Sequence, residues 1–229
     1  MQKWAKILSE CVLFERISPD ELDAVLACLN PEVSSYRKNE WVTVAGEDIT
    51  GLGIVLSGEV VVTRENAAGN RIVMSVNGPG EMFGEMAAFS GSGVWPATVT
   101  ARRPCTVMFL PPGKLAGSCE KACASHKQLI LNMLKIVSGK ALLLGRMVEY
   151  LSIKSMRGKI STFLLEQYQK TGRNMFMLPL KRDELADFLN VSRPSLSREM
   201  GRLRDEGIIE FHRSSVKIKD LEALRRMAE

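Results

Sequence analysis

A chain of 229 residues, 45% apolar and 25% charged, has the composition of an ordinary globular protein of one or two domains, not of a disordered or low-complexity polymer. No run approaches the roughly 18 consecutive apolar residues of a membrane span, and Met1-Gln2-Lys3-Trp4, Ile7-Leu8 and Glu10 are too broken a start for a signal peptide's apolar core. Residues 1–151 hold 15 Lys and Arg against 15 Asp and Glu, whereas residues 152–229 hold 16 against 11, so the whole net charge of +5 lies in the C-terminal third and points to a polyanion there. The five cysteines are odd in number and irregularly spaced, as expected of reduced thiols in the cytoplasm.

Residues 3–29 read as short helices. Ser18-Pro19-Asp20-Glu21 is a helix start, with Ser18 as N-cap, Pro19 in the first turn and Glu21 three residues after the cap. From about Val33 to Leu110 the period changes to two, in Ile72-Met74-Val76, Ala97-Val99-Ala101 and Cys105-Val107-Phe109, with glycines recurring between. Several short strands with frequent turns predict a sandwich or barrel. Ala67-Ala68-Gly69-Asn70 is the expected hairpin turn between Val60–Arg64 and Arg71–Val76.

Pro111-Pro112-Gly113 closes the strand region, and a long helix follows, covering at least Ser125 to Ser152. Ile130, Leu134, Val137, Ala141, Leu144, Val148 and Leu151 are spaced 4-3-4-3-4-3, a heptad seam for a parallel homodimer; the alternative is one helix packed on its own domain. Leu142, Leu143 and Met147 lie off the seam and are expected to pack on the β-domain. Beyond Lys154 come a helix stopped by Gly172, a short strand at Met175–Leu178, helices at Lys181–Asn190 and Ser192–Glu206, a hairpin of Ile208–Phe211 and Ser215–Lys219, and a last helix at Leu221–Met227.

The two helices at 181–206 carry the functional signal. Leu185, Phe188 and Leu189 form the inner stripe of the first; Ala186 is small where two helices approach. Ser192 can cap the second helix, and Pro194 is tolerated in its first turn. Leu196, Met200 and Leu203 face inward; Arg193, Pro194, Ser197 and Gly201 point outward, with Arg198 at the edge. This is a helix-turn-helix whose second helix reads base edges from its N-terminal residues. Arginine there can bond guanine O6 and N7 together. The candidate DNA-binding set is Lys181, Arg182, Ser192, Arg193, Pro194, Ser195, Ser197 and Arg198.

With these residues in place the chain resembles the bacterial CRP/FNR-type regulators over nearly its whole length. The resemblance rests on Glu184-Leu185-Ala186, Val191-Ser192-Arg193, Ser197-Arg198 and Gly207-Ile208-Ile209 at one end. At the other it rests on Gly51–Val60, Gly69-Asn70, Gly78-Pro79-Gly80 and Phe83-Gly84-Glu85-Met86. It implies an α+β chain: an N-terminal β-roll of the cyclic-nucleotide-binding kind with leading helices (1–122), a long dimerisation helix (123–152) and a C-terminal winged helix-turn-helix (153–229). It also implies a homodimer on double-stranded DNA, controlled by a small effector in the β-roll, with RNA polymerase as a further partner and no membrane. Lys181 and Arg182 would lie on the DNA backbone, and His212-Arg213 would be a wing contact or a plain exposed turn.

Two departures follow. Many members of the family have Glu where this chain has Pro194; Glu accepts from cytosine N4 and proline does not, so the half-site should differ there. Cyclic-AMP-binding members place an Arg-Ser pair about ten residues after Gly-Glu-Leu; the matching positions are Trp95 and Pro96, with no arginine between Glu85 and Arg102. A buried phosphate without a cation is costly, so cyclic AMP is not the expected effector. The pocket is still placed at Gly84, Glu85, Met86, Trp95 and Pro96, with Trp95 either stacking on a more apolar ligand or filling the space as core. The alternative sensor is a metal, haem or thiol redox centre at Cys119, Cys123 and His126, spaced i, i+4, i+7; packing is the bland reading of the same three. No Gly-x-Ser-x-Gly, Walker loop or His-Glu-x-x-His occurs, so an enzyme is not expected.

Overall fold

The computed structural model describes residues 2–66, 68–117 and 124–228. It divides into two compact units, Met1–Gly139 and Lys140–Glu229.

The first unit opens with α1 (Ala5–Glu10) and α2 (Pro19–Leu29). Ser18 caps α2 as expected: its Oγ accepts from the Glu21 N–H, and the Glu21 carboxylate accepts from the Ser18 N–H at 3.0 Å. Strands β1 (Glu32–Tyr36), β2 (Trp41–Thr43), β3 (Leu52–Glu65), β4 (Arg71–Asn77), β5 (Met82–Phe83), the single turn α3 (Glu85–Ala88) and β6 (Thr98–Leu110) follow. The sheet order is β1-β6-β3-β4, with β2 also on β6 and β5 on β3. The long antiparallel pair β3–β6 changes register three times around Gly58, whose φ is +78° and where a Cβ would lie 2.1 Å from the Pro104 carbonyl oxygen. That close approach lets the ribbon bend into a roll.

The period-two pattern sorts into two cores. Val55, Val60, Val99, Ala101, Cys105, Val107 and Phe109 line the inside of the roll with Phe83 and Trp95. Leu52, Ile54, Leu56, Met108 and Leu110 point the other way, onto α1, α2 and Leu115 of α4 (Pro112–Ala116). The expected hairpin is found as β3 and β4; Ile72, Val73, Met74 and Val76 of β4, a terminal strand of the sheet, are all exposed.

The long helix α5 runs from Ala124 to Ser152. Leu129 and Met133 close the second core, Val137 packs partly against it, and the Asn132 side chain donates to the Leu13 and Glu15 carbonyls, both at 2.8 Å. Ile130, Leu134, Ala141, Leu144, Val148 and Leu151 are exposed. Leu142 and Leu143 are 72% and 45% exposed, so their expected burial is corrected: Leu129 and Met133, earlier on the helix, make the packing assigned to them. By length and composition Ser125–Ser152 could cross a bilayer. It nevertheless carries Lys127, Lys135, Lys140, Arg146 and Glu149, and a basic residue near mid-span costs about 2.5–3.5 kcal/mol on insertion.

In the second unit, the last turns of α5 are followed by α6 (Met156–Thr171), β7 (Met175–Met177), α7 (Arg182–Phe188), α8 (Arg193–Asp205), β8 (Ile209–His212), β9 (Ser215–Ile218) and α9 (Leu221–Ala228). The three strands form a sheet in the order β7-β9-β8. Leu185, Ala186, Leu189, Leu196, Met200 and Leu203 share one core with Ile160, Phe163 and Ile209. Tyr150 of α5 is buried there, edge-on to Phe188 at 5.0 Å.

Candidate functional site

Helices α7 and α8 are joined by a turn in which Asn190 adopts a left-handed φ of +51° and the Val191 N–H donates to the Ala186 carbonyl at 2.9 Å. Ser192 then caps α8, its Oγ accepting from the Ser195 N–H at 3.3 Å. On the other side, the Glu184 carboxylate accepts from the Lys181 N–H at 2.7 Å, which fixes the start of α7. These local bonds aim the outer face of α8: Arg193, Pro194, Ser197 and Arg198 are exposed, and Ser195 is half-buried.

Arg193 donates from Nε to Asp183 at 2.9 Å, and Arg198 donates to Ser195 Oγ at 3.2 Å. Lys181, Arg182, Arg193, Ser197, Phe211 and Arg213 border a cleft of about 360 Å³. Arg213 stands in the β8–β9 turn with φ +53°. The Arg182 guanidinium lies 5.3 Å over the Phe211 ring. Burial, and then the neighbouring Arg193 charge, pull its pKa below the ordinary arginine value. An anion at the mouth of the cleft would relieve both strains. Four cations around one hollow beside the start of α8 form a surface suited to a phosphodiester backbone.

Sequence reasoning gave no role to Glu199, the buried acid of α8, nor to Arg157 of α6, which bonds it at 2.7 Å. A charged residue beside the inward stripe Leu196, Met200 and Leu203 was the available signal.

In the first unit, Gly84 and Trp95 come together. Gly84 has φ +80°, and a Cβ there would lie 2.4 Å from a ring carbon of Trp95. Trp95 is 4% exposed, with its ring centroid 6.2 Å from that of Phe83. Glu85 is buried, whereas Met86 and Pro96 face solvent and are not part of this cluster. His126 is buried and lies 3.2 Å through Nε2 from the Leu115 carbonyl; Cys119 and Cys123 lie outside the described residues. Among the described residues no group of three His, Cys, Asp or Glu is placed to hold a metal ion.

Residues 33–122 match the cyclic nucleotide-binding domain and residues 158–227 the Crp-like helix-turn-helix domain. The chain is 23% identical to the CRP-like cAMP-activated global transcriptional regulator of Mycobacterium tuberculosis, over 97% of this chain and 99% of that one. It is also 23% identical to the Cyclic AMP receptor protein of Thermus thermophilus, over 94% and 96% respectively. The solved structure of Thermus thermophilus Catabolite Activator Protein shares the fold, with a TM-score of 0.55 at 22% identity, over 95% of this chain and 98% of that one. A cyclic nucleotide-binding domain, a long helix and a Crp-like helix-turn-helix in this order make the chain a DNA-binding transcription regulator of the CRP/FNR family and not an enzyme.

Proposed function

We propose that the protein is a homodimeric, sequence-specific regulator in the bacterial cytoplasm, that α8 reads the major groove, and that its effector is a small molecule other than cyclic AMP. The exposed Arg193, Ser197 and Arg198 on a capped helix beside a cation-lined cleft carry the reading. Arg193 and Arg198 take base edges or adjacent phosphates; Lys181, Arg182 and Arg213 hold the backbone. Ser192 and Ser195 fix the helix start, and Pro194 removes the acceptor through which a glutamate would select cytosine. Selection on random duplexes, followed by shift assays over a salt series, tests this: a conserved half-site and affinity that falls steeply with salt are expected. Binding without base preference would overturn it.

The exposed apolar seam of α5 supports the dimer. Its apolar side chains need cover, its charges oppose a bilayer, and a second copy supplies the same heptad pattern. The working division is then residues 1–122 for sensing, 123–152 for dimerisation and 153–229 for DNA binding, with RNA polymerase as the downstream partner.

The cyclic AMP in the relatives' names belongs to those proteins. Here the indole of Trp95 rests on Gly84, and in our reading Trp95 takes the position at which cyclic-AMP-binding members carry the phosphate-binding arginine. The chain between Glu85 and Arg102 supplies no cation. Calorimetry with cyclic AMP should therefore show no micromolar binding.

A further inference from the structure

The recognition helix contains an acid that base reading does not use. Glu199 is 8% exposed although it sits in the middle of α8. Its Oε1 accepts from Nε of Arg157 at 2.7 Å, and its Oε2 from Nη1 of Arg202 at 3.1 Å. The same Arg157 guanidinium donates from Nη1 and Nη2 to both carboxylate oxygens of Glu206, at 2.9 and 2.8 Å. One side chain thus holds α8 at its middle and at its C-terminal end. A planar fork fixes direction as well as distance, which a lysine ammonium does not.

Arg157 lies in the first turn of α6, whose N-cap is Ser155, and α5 ends at Ser152. The staple therefore ties the recognition helix to the chain immediately after the long helix. At 3.6 residues per turn, Glu199 stands about 200° and Glu206 about 180° around α8 from Ser197. The staple is on the flank away from that reading residue. Its two arginines and two glutamates cancel in charge, so it adds nothing to the attraction for phosphate.

We propose that Arg157 is a positioning residue for DNA reading: by holding Glu199 and Glu206 it sets the rotation of α8, and so the direction in which Arg193, Ser197 and Arg198 leave the domain, without touching DNA. This rests on the reading that α8 enters the major groove. A buried carboxylate that loses one of its two cations is left half-compensated at Oε1, so without Arg157 the helix turns to bring Glu199 toward water. Arg193, Ser197 and Arg198, carried on the same helix, turn with it.

The test uses the full-length chain, a duplex selected by the unaltered protein from random sequence, and a scrambled duplex, with folding checked by circular dichroism at the assay temperature. Arg157→Ala and Arg157→Lys are each expected to weaken the selected duplex by about ten-fold or more, leave the scrambled duplex within about two-fold, and leave the salt slope unchanged. Glu206→Gln, a milder change at the exposed end of the staple, should reproduce part of the loss and add nothing to Arg157→Ala. A folded Arg157→Ala protein with unchanged preference for the selected duplex overturns the proposal. So does equal loss on both duplexes, which marks a role in stability alone, or additive losses in the double variant. So does a salt slope lowered by about one with Arg157→Lys retaining affinity, which places Arg157 on a phosphate. Arg193→Ala is the control: unchanged base preference in that variant would overturn the reading of α8 itself, whatever Arg157 does.

Discussion

In the C-terminal unit the side chains assigned to function stand in water. Arg193, Ser197 and Arg198 are exposed, and their backbone is held by bonds beneath them, from Ser192 to Ser195 and from Arg157 to Glu199. In the N-terminal unit the assigned positions that meet are Gly84 and Trp95, and the indole is part of the core. The contrast follows from what each end must bind. A polyanion is met by solvated cations on a rigid support, so function and stability can occupy different residues. A small effector needs interior space, and there the same side chain must serve both.

The largest expected break in this comparison is at the seam between the two functions. Leu144→Asp with Val148→Asp changes only exposed positions, so both units should stay folded while the chain becomes monomeric by sedimentation. Operator affinity should fall by about two orders of magnitude or more, since one reading head would bind without its pair. A persisting dimer would remove α5 as the interface.

Next come two substitutions that oppose each other. Trp95→Ala should cost roughly 3–5 kcal/mol of stability in thermal or denaturant unfolding, as expected for an aromatic lost from a packed core. Arg193→Ala should leave stability unchanged and cost roughly 1–3 kcal/mol of specific binding. If Trp95→Ala melted like the unaltered chain, the roll would hold free space, and the contrast between the units would collapse.

Smaller effects sharpen the account of the support. Ser192→Ala should lower the stability of the C-terminal unit by about 1 kcal/mol, the usual value of an N-cap. The last expectation is acid sensitivity at Glu199. Burial raises the pKa of its carboxyl, but the bonds and charges of Arg157 and then Arg202 outweigh this and hold it below the ordinary value. A carboxyl depressed in the folded state stabilises above its unfolded pKa, near 4.3, and loses that contribution as pH falls further. Glu199→Gln should therefore flatten the acid limb of unfolding below about pH 4.5. An acid limb identical in the two proteins would show that the staple contributes no linkage.

Much of this protein was legible along the chain. The Ser18 capping box, the Ser192 cap, the inward stripe Leu196-Met200-Leu203 and the alternation Val99-Ala101, Cys105-Val107-Phe109 all depend on neighbours within a few residues, where bond geometry and the periods of 3.6 and 2 leave few choices. The helix-turn-helix was therefore readable together with its outward-facing residues. Only the tertiary structure decided what lies beyond that range. It left β4 uncovered at the end of its sheet, and it left Leu142 and Leu143 in solvent although their composition marks them as core. It set Trp95 against Gly84, 11 positions away, and brought Arg157 to Glu199 across 42. Burial and ion pairing depend on which distant segment arrives opposite a side chain, and periodicity states the face a residue occupies without naming what meets it.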